Sequence, residues 1–326
     1  MAPGQIAAGE VRLTDWIPCR VVWEQNGPLI DWCYLGGARF SEPFFQQTIG
    51  RVMRRPFSAA FQRREPLEAW NDKGSPDPAG LIFHMSRCGS TLISQMLKAI
   101  AGVTVFSEAP PVDAVVRAPE LGINVGGDQH ADWLRRIVRA LGSGGATGQR
   151  AYLLKVDCWH ALDLPLFLRA FPSVPWIFVY RDPIEVLASH AFEPGEWTNP
   201  GYLSAERFGF DAAAIPPAAL AEYRTHLLAG ILRGVLDCGT ELEGHLVNYS
   251  HPPEWGWTTL TRLFGLEPSA PEITAMQSVA AHDAKRPASA FVPDVEKKRA
   301  SATQAIRALC ETHLYPLYRK LEVQRR

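Results

Sequence analysis

Apolar residues along this chain gather in short runs, each followed by small or polar residues and then by apolar positions at helical spacing. Leu81 to Met85, Val103 to Phe106, Tyr152 to Val156, Trp176 to Tyr180 and Leu246 to Tyr249 have strand length. Helical periodicity follows at Leu92, Ile93, Met96, Leu97 and Ile100, and again at Trp133, Leu134, Ile137, Val138 and Leu141. Leu162 to Phe171, Ala218 to Leu236, Trp257 to Phe264 and a segment ending near Leu317 also read as helices. Five short strands alternating with helices predict an α/β fold: a parallel sheet with helices on both faces.

The first 75 residues stand apart from this alternation. Val21 to Trp23 suggests a strand, Asp31 to Gly37 a mixed stretch ending in a turn, and Phe44, Phe45, Ile49 and Val52 a helix. Arg54 and Arg55 are expected on a solvated face. Asn71 to Gly80 is a Pro/Gly-rich linker. Residues 1–75 are therefore expected to pack on the core in a role the sequence does not assign, with the α/β domain over 76–326. Trp197, Tyr202, Phe208 and Phe210, set among glycines and polar residues, suggest an ordered insertion or lid over 196–215.

Composition narrows the classes. Of 326 residues, 47% are hydrophobic and 21% charged, an ordinary globular balance. A net charge of −1 gives no reason to expect nucleic-acid or membrane-surface binding. The N-terminus has no basic stretch followed by a long apolar run, so no signal peptide or membrane span is expected. None of the six cysteines forms a Cys-x-x-Cys pair, which suits free thiols in a cytoplasmic protein. Nothing in the sequence supports or excludes a homodimer.

The chemistry concentrates where the first long run ends, at Ser86-Arg87-Cys88-Gly89-Ser90-Thr91. A helix that starts straight after a small-residue turn presents unpaired N–H groups and the positive end of its dipole, which is an anion site. Gly89 allows close backbone approach, Ser90 and Thr91 add hydroxyls, and Arg87 adds a fork-shaped cation. The loop departs from G-x-x-x-x-G-K-[ST]: Phe83 or His84 stands near the first glycine, and Ser90 replaces the lysine. Cys88 reads either as a reactive thiol at a helix N-terminus or as a small residue that fits the loop; no partner histidine can be assigned, which favours the second. Glu108 follows the second strand, where open α/β sheets place ligands. Lys155, Asp157 and His160 follow the third. At the fourth strand's end stands Arg181, and Asp182, Pro183 and Glu185 predict an N-cap, a first helical residue and a capping box.

Ser86 to Leu92 resembles the 5′-phosphosulfate loop of the sulfotransferases, with Ser86 in place of that family's proline and Cys88 in place of its first serine. Tyr180-Arg181-Asp182-Pro183, with Ser189 eight positions after Arg181, resembles the family's 3′-phosphate element. The resemblance covers roughly Leu81 to Tyr249. It implies the P-loop-type, five-stranded parallel sheet of the sulfotransferase fold, PAPS (3′-phosphoadenosine 5′-phosphosulfate) as donor, PAP as product, no essential metal, and an acceptor hydroxyl or amine on a small molecule or peptide. It implies that Arg87, Cys88, Gly89, Ser90 and Thr91 hold the 5′-phosphosulfate and that Arg181 and Ser189 hold the 3′-phosphate. The histidine that small-molecule members carry after the third strand is absent. Glu108 instead matches the base of the tyrosylprotein-sulfotransferase-like branch, with His160 and Asp157 in reserve, and Lys155 matches the catalytic lysine. Lys285, Arg286, Lys297, Lys298 and Arg299 are candidates for further contact to the 3′-phosphate, although the family's Arg-Lys-Gly loop is missing. Two rival readings are a P-loop kinase or NTPase using ATP, which the missing loop lysine opposes, and a non-catalytic nucleotide-binding protein of the same fold.

Overall fold

The computed structural model describes residues 15–325 except 26, 71, 73, 145–147, 239–243, 251–253 and 285–294. Lys285, Arg286 and the stretch Phe291–Asp294 thus lie outside the described residues, as does much of the glycine-rich connection after residue 142.

Two sheets form. The first is antiparallel, with β1 (Trp16–Glu24), β2 (Gly27–Tyr34) and β3 (Arg63–Pro66) in that order. The stretch from Asp31 that reads as mixed is the second half of β2, paired along its length with β1. β3 was not visible as a strand, because Arg63-Arg64-Glu65-Pro66 is polar and half of an edge ladder. Arg64 reaches the buried Asp31 carboxylate across that ladder at 2.5 Å. Arg54 and Arg55 are both exposed, as expected, and the Arg55 guanidinium also donates to the Leu35 and Gly36 carbonyls, at 2.9 and 3.3 Å.

The second sheet is wholly parallel. It contains β4 (Gly80–His84), β5 (Val103–Ser107), β6 (Ala151–Lys155), β7 (Trp176–Tyr180) and β8 (Gly244–Asn248), in the spatial order β5-β6-β4-β7-β8. The continuous apolar runs are explained by burial: every residue of β4 and β7 is buried, as expected for strands covered by helices on both faces. The helices Ser90–Lys98, Gly127–Ser143, Leu164–Ala170, Pro183–Phe192 and Leu220–Asp237 supply the cover. Residues of both sheets and of the covering helices, from Ile17 and Trp32 to Phe178 and Leu232, belong to one apolar core. Segment 196–215 is ordered as three short 3₁₀ turns, with Trp197 and Phe208 buried. No helix among the described residues is long and apolar enough to cross a membrane.

The strand order puts the carboxyl end of β4 at the centre, β5 and β6 on one side and β7 and β8 on the other. Phe83, fully buried, anchors this centre against Phe167 and Trp176, whose rings meet it edge-on at 5.2 and 6.1 Å. Phe83→Ala is expected to cost about 3–5 kcal/mol, read as a lower denaturation midpoint at unchanged slope in urea unfolding.

Candidate functional site

At the carboxyl end of β4 the chain turns through Met85 to Gly89 and enters the helix Ser90–Lys98. The turn is tight. Ser86 and Arg87 have φ of 71° and 49°, and Gly89, the helix N-cap, has φ of 84°. Left-handed backbone at two successive non-glycine residues is unfavourable and persists only where the surroundings hold it. His84 is one brace: its Nδ1 accepts from the Ser86 N–H at 3.1 Å, so its Nε2 donates to the Val156 carbonyl at 3.1 Å. Burial, reinforced by the nearby Lys155 charge, lowers the imidazole's pKa and keeps that neutral tautomer. Cys88 is another brace, its thiol donating to the Val179 carbonyl at 3.1 Å. A Cβ on Gly89 would meet the Tyr249 ring at 2.3 Å, so the turn needs glycine for both conformation and space.

The reactive-thiol reading of Cys88 fails here. Burial pushes the thiol up to about 11, against the lowering effect of neighbouring backbone N–H groups and cations. The residue is a structural tie between the loop and β7.

The cavity above this turn is about 620 Å³ and is lined in part by Ser86, Arg87, Gly89, Ser90, Thr91 and Glu108. Asp157, Trp159, Ser189, Trp197, Tyr249 and Lys297 line it elsewhere. Phe44 lines it as well, from the N-terminal segment, with its ring centroid 5.5 Å from Lys155 Nζ. Glu108 sits just past β5 with φ of 55°, the third non-glycine residue of the site in left-handed backbone. Its N–H donates to the Lys155 carbonyl at 2.7 Å, and its carboxylate is ion-paired with the fully buried Lys155 ammonium. His84 Nε2 lies 3.5 Å from the same carboxylate. Burial alone would raise the Glu108 carboxyl, but Lys155 and His84 outweigh it and hold the group ionised, well below the ordinary carboxylate range.

Arg87 lines the cavity with its guanidinium closed onto Glu193, at 2.9 Å to the carboxylate. Arg181 is placed differently from expectation. It is buried behind the cavity wall, 4.4 Å over the Tyr249 ring and 2.5 Å from Glu185. Asp182 does cap the helix Pro183–Phe192, accepting from the Ile184 N–H at 3.0 Å. Glu185 does not complete a capping box; its two oxygens go to Arg181 and to Arg299, the latter at 2.8 Å. Arg299 is thereby turned to Glu185 and Asp182, whereas Lys297 and Lys298 line the cavity. Ser189 is buried and lines it too.

Asp157 and His160, the reserve bases, form a separate group with Asp113. His160 Nε2 and Trp159 Nε1 both bond Asp113 Oδ1, at 2.9 and 2.8 Å. Among the described residues these three are also the cluster whose ligand atoms lie close enough for a metal ion. Sequence reading missed His84 and Asp113. A histidine closing an otherwise apolar strand was a usable signal for the first. The second contacts residues 46 and 47 positions away, which no local pattern reports.

No protein-family model matches the chain, and no curated protein matches its sequence. Among solved structures, a sulfotransferase of Mycobacterium avium is 13% identical with a TM-score of 0.46, over 75% of this chain and 78% of that one. A sulfotransferase of Mycobacterium tuberculosis is 12% identical with a TM-score of 0.44, over 74% and 78%. The sulfotransferase domain of a Synechococcus olefin synthase is 17% identical with a TM-score of 0.40, over 74% and 97%. The structure resembles these bacterial sulfotransferases.

Because Cys88 is buried and its thiol is held at about 11, it stays protonated at pH 8. Native protein treated with iodoacetamide at pH 8 is expected to leave Cys88 unmodified by peptide mass mapping, while unfolded protein is labelled there.

Proposed function

We propose that this protein transfers the sulfuryl group of PAPS to a hydroxyl or amine of an acceptor. The observation that carries the reading is a single cavity shared by a strand–turn–helix anion loop and an ionised carboxylate–ammonium pair on neighbouring strand ends. What supports a phosphosulfate at this loop is that it runs straight into the N-terminus of the helix Ser90–Lys98 and that Ser90 and Thr91 line the cavity. In this reading the backbone at Cys88 to Thr91 and the Arg87 side chain hold the 5′-phosphosulfate. Ser189, Lys297 and Lys298 meet the 3′-phosphate, with Arg181 contributing its charge from behind Tyr249.

Glu108 is the general base. The acceptor oxygen or nitrogen forms a bond to sulfur as the bond from sulfur to the phosphate oxygen breaks, and the acceptor proton goes to Glu108. Paired with Lys155, Glu108 is a weak base. A polyanionic donor that draws the ammonium towards the bridging oxygen weakens that pairing and raises the carboxylate's proton affinity. Proton arrival on Glu108 in turn leaves the Lys155 charge free to stabilise the leaving phosphate. One pair thus supports bond making and bond breaking.

Calorimetric titration with PAP and with ADP, which differ in phosphate placement, tests the donor. PAP is expected to bind at least tenfold more tightly; equal affinity or a preference for ADP rejects the sulfuryl-donor reading in favour of the kinase one. Glu108→Gln tests the base. With the best hydroxyl or amine acceptor from a screen, PAP release from PAPS is expected to fall by about 10²–10⁴-fold while PAP affinity is retained. Unchanged turnover in a variant that still binds PAP removes Glu108 from the mechanism.

A further inference from the structure

We propose that a second cavity, at the amino end of β5, binds a monocarboxylate with an apolar body, its carboxylate held by Lys98 and Arg39. The inference does not use the sulfuryl-transfer reading. Among the described residues the two cavities share no lining residue, and this one lies at the opposite end of β5 from Glu108.

The second cavity is about 480 Å³, within the range of clefts that take small ligands. One wall is the stretch that follows β2, with Leu35, Phe40 and Ser41. The other is the end of the helix Ser90–Lys98 and the turn into β5, with Ile100 and Val103. Lys98 spans the two. Its side chain leaves the last helical turn, and its ammonium donates to the Glu42 carbonyl at 2.6 Å. Ser41, the residue before Glu42, lines the cavity. The cation therefore stands at the seam where the two walls meet.

Charge selects the head of the ligand. Among the described residues, Lys98 and Arg39 line the cavity, no aspartate or glutamate does, and neither cation is in ion-pair contact with a carboxylate. The nearby Glu42 carboxylate is taken by Arg51 at 2.6 Å and by the Thr48 hydroxyl at 2.5 Å. Lys98 is thus left with a neutral carbonyl, and an ammonium has three donors to place. The helix C-terminus opposes an anion, but its dipole amounts to about half a negative charge, against one full positive charge at the seam and a second on Arg39. Arg39 is exposed, so most of the attraction falls to Lys98. Burial, reinforced by the Lys155 charge, lowers the Lys98 pKa to about 8, against a smaller opposing effect of Glu42. A carboxylate beside the ammonium offsets that cost through a charge-assisted hydrogen bond.

The remaining lining selects the body. Leu35, Phe40, Ile100 and Val103 are all nine-tenths or more buried. Phe40 is fixed in place, stacked on Phe45 and edge-on to Phe106 with ring centroids 5.0 Å away in both cases. A small hydrated anion would leave these surfaces wet, whereas each methylene of a hydrocarbon tail laid against them favours binding. A carboxylate with such a tail satisfies the cation and the apolar walls together.

The test is calorimetry on the full chain at pH 7 with octanoate, 1-octanol and acetate. Octanol keeps the tail without the charge, and acetate keeps the charge without the tail. Octanoate is expected to bind at least tenfold more tightly than either. Lys98→Met, which keeps the side-chain stem, is expected to cut the preference over octanol below threefold, and Arg39→Gln is expected to weaken octanoate at least threefold. Octanoate binding that is undetectable, no tighter than octanol, no tighter than acetate, or unchanged in both variants overturns the proposal. So does displacement of octanoate by PAP, which would put it in the first cavity. Should Lys98→Met fail to fold, Arg39→Gln, at an exposed side chain, decides alone, and unchanged octanoate affinity there overturns the proposal. Failure of PAP to bind would remove the donor reading and leave these outcomes as they stand.

Discussion

An ammonium group with no exposure to water must be met by a carboxylate held in place, and the pairing of Lys155 with Glu108 meets that demand at the centre of the site. Moving both charges out of water costs several kcal/mol per ion, which only close and well-supported pairing offsets. The support is visible around them. The Glu108 N–H is bonded to the Lys155 carbonyl, and His84, which braces the loop, stands beside the carboxylate while bonding the Val156 carbonyl. The ends of β4, β5 and β6 are therefore tied to one another through the same two charges. Glu108 accepts left-handed backbone as part of that arrangement.

The loop inherits this rigidity. Ser86 and Arg87 are held in disfavoured conformations by His84 below them, by Cys88 on the Val179 carbonyl and by Arg87 on Glu193. Backbone donors aimed in advance at an anion need no reorganisation when it arrives. Cys88 shows how a residue type can mislead: a thiol beside arginine at a helix N-terminus suggests reactivity, yet in this turn its small size and its single weak hydrogen bond are what the packing uses.

What could be read from the chain and what could not divide along one physical line. Strands buried on both faces announce themselves as apolar runs, so all five parallel strands and their alternation with helices were legible. The strand–turn–helix loop was legible because glycine, small residues and a following helix are adjacent in sequence. By contrast, the polar edge strand Arg63–Pro66 carries no apolar signal. The burial of Arg181 behind Tyr249 and the bond of Glu185 to Arg299 join residues 68 and 114 positions apart. The Asp113–His160 pairing is likewise a product of the fold, although both side chains were present to be counted.

The Glu185 carboxylate divides its two oxygens between Arg181 and Arg299, residues that belong to β7's exit and to the helix Val295–Ser301. Such sharing makes the two guanidinium groups competitors for one anion. The carboxylate is thus the joint between the exit of β7 and that C-terminal helix, so residues separated by 114 positions depend on a single side chain.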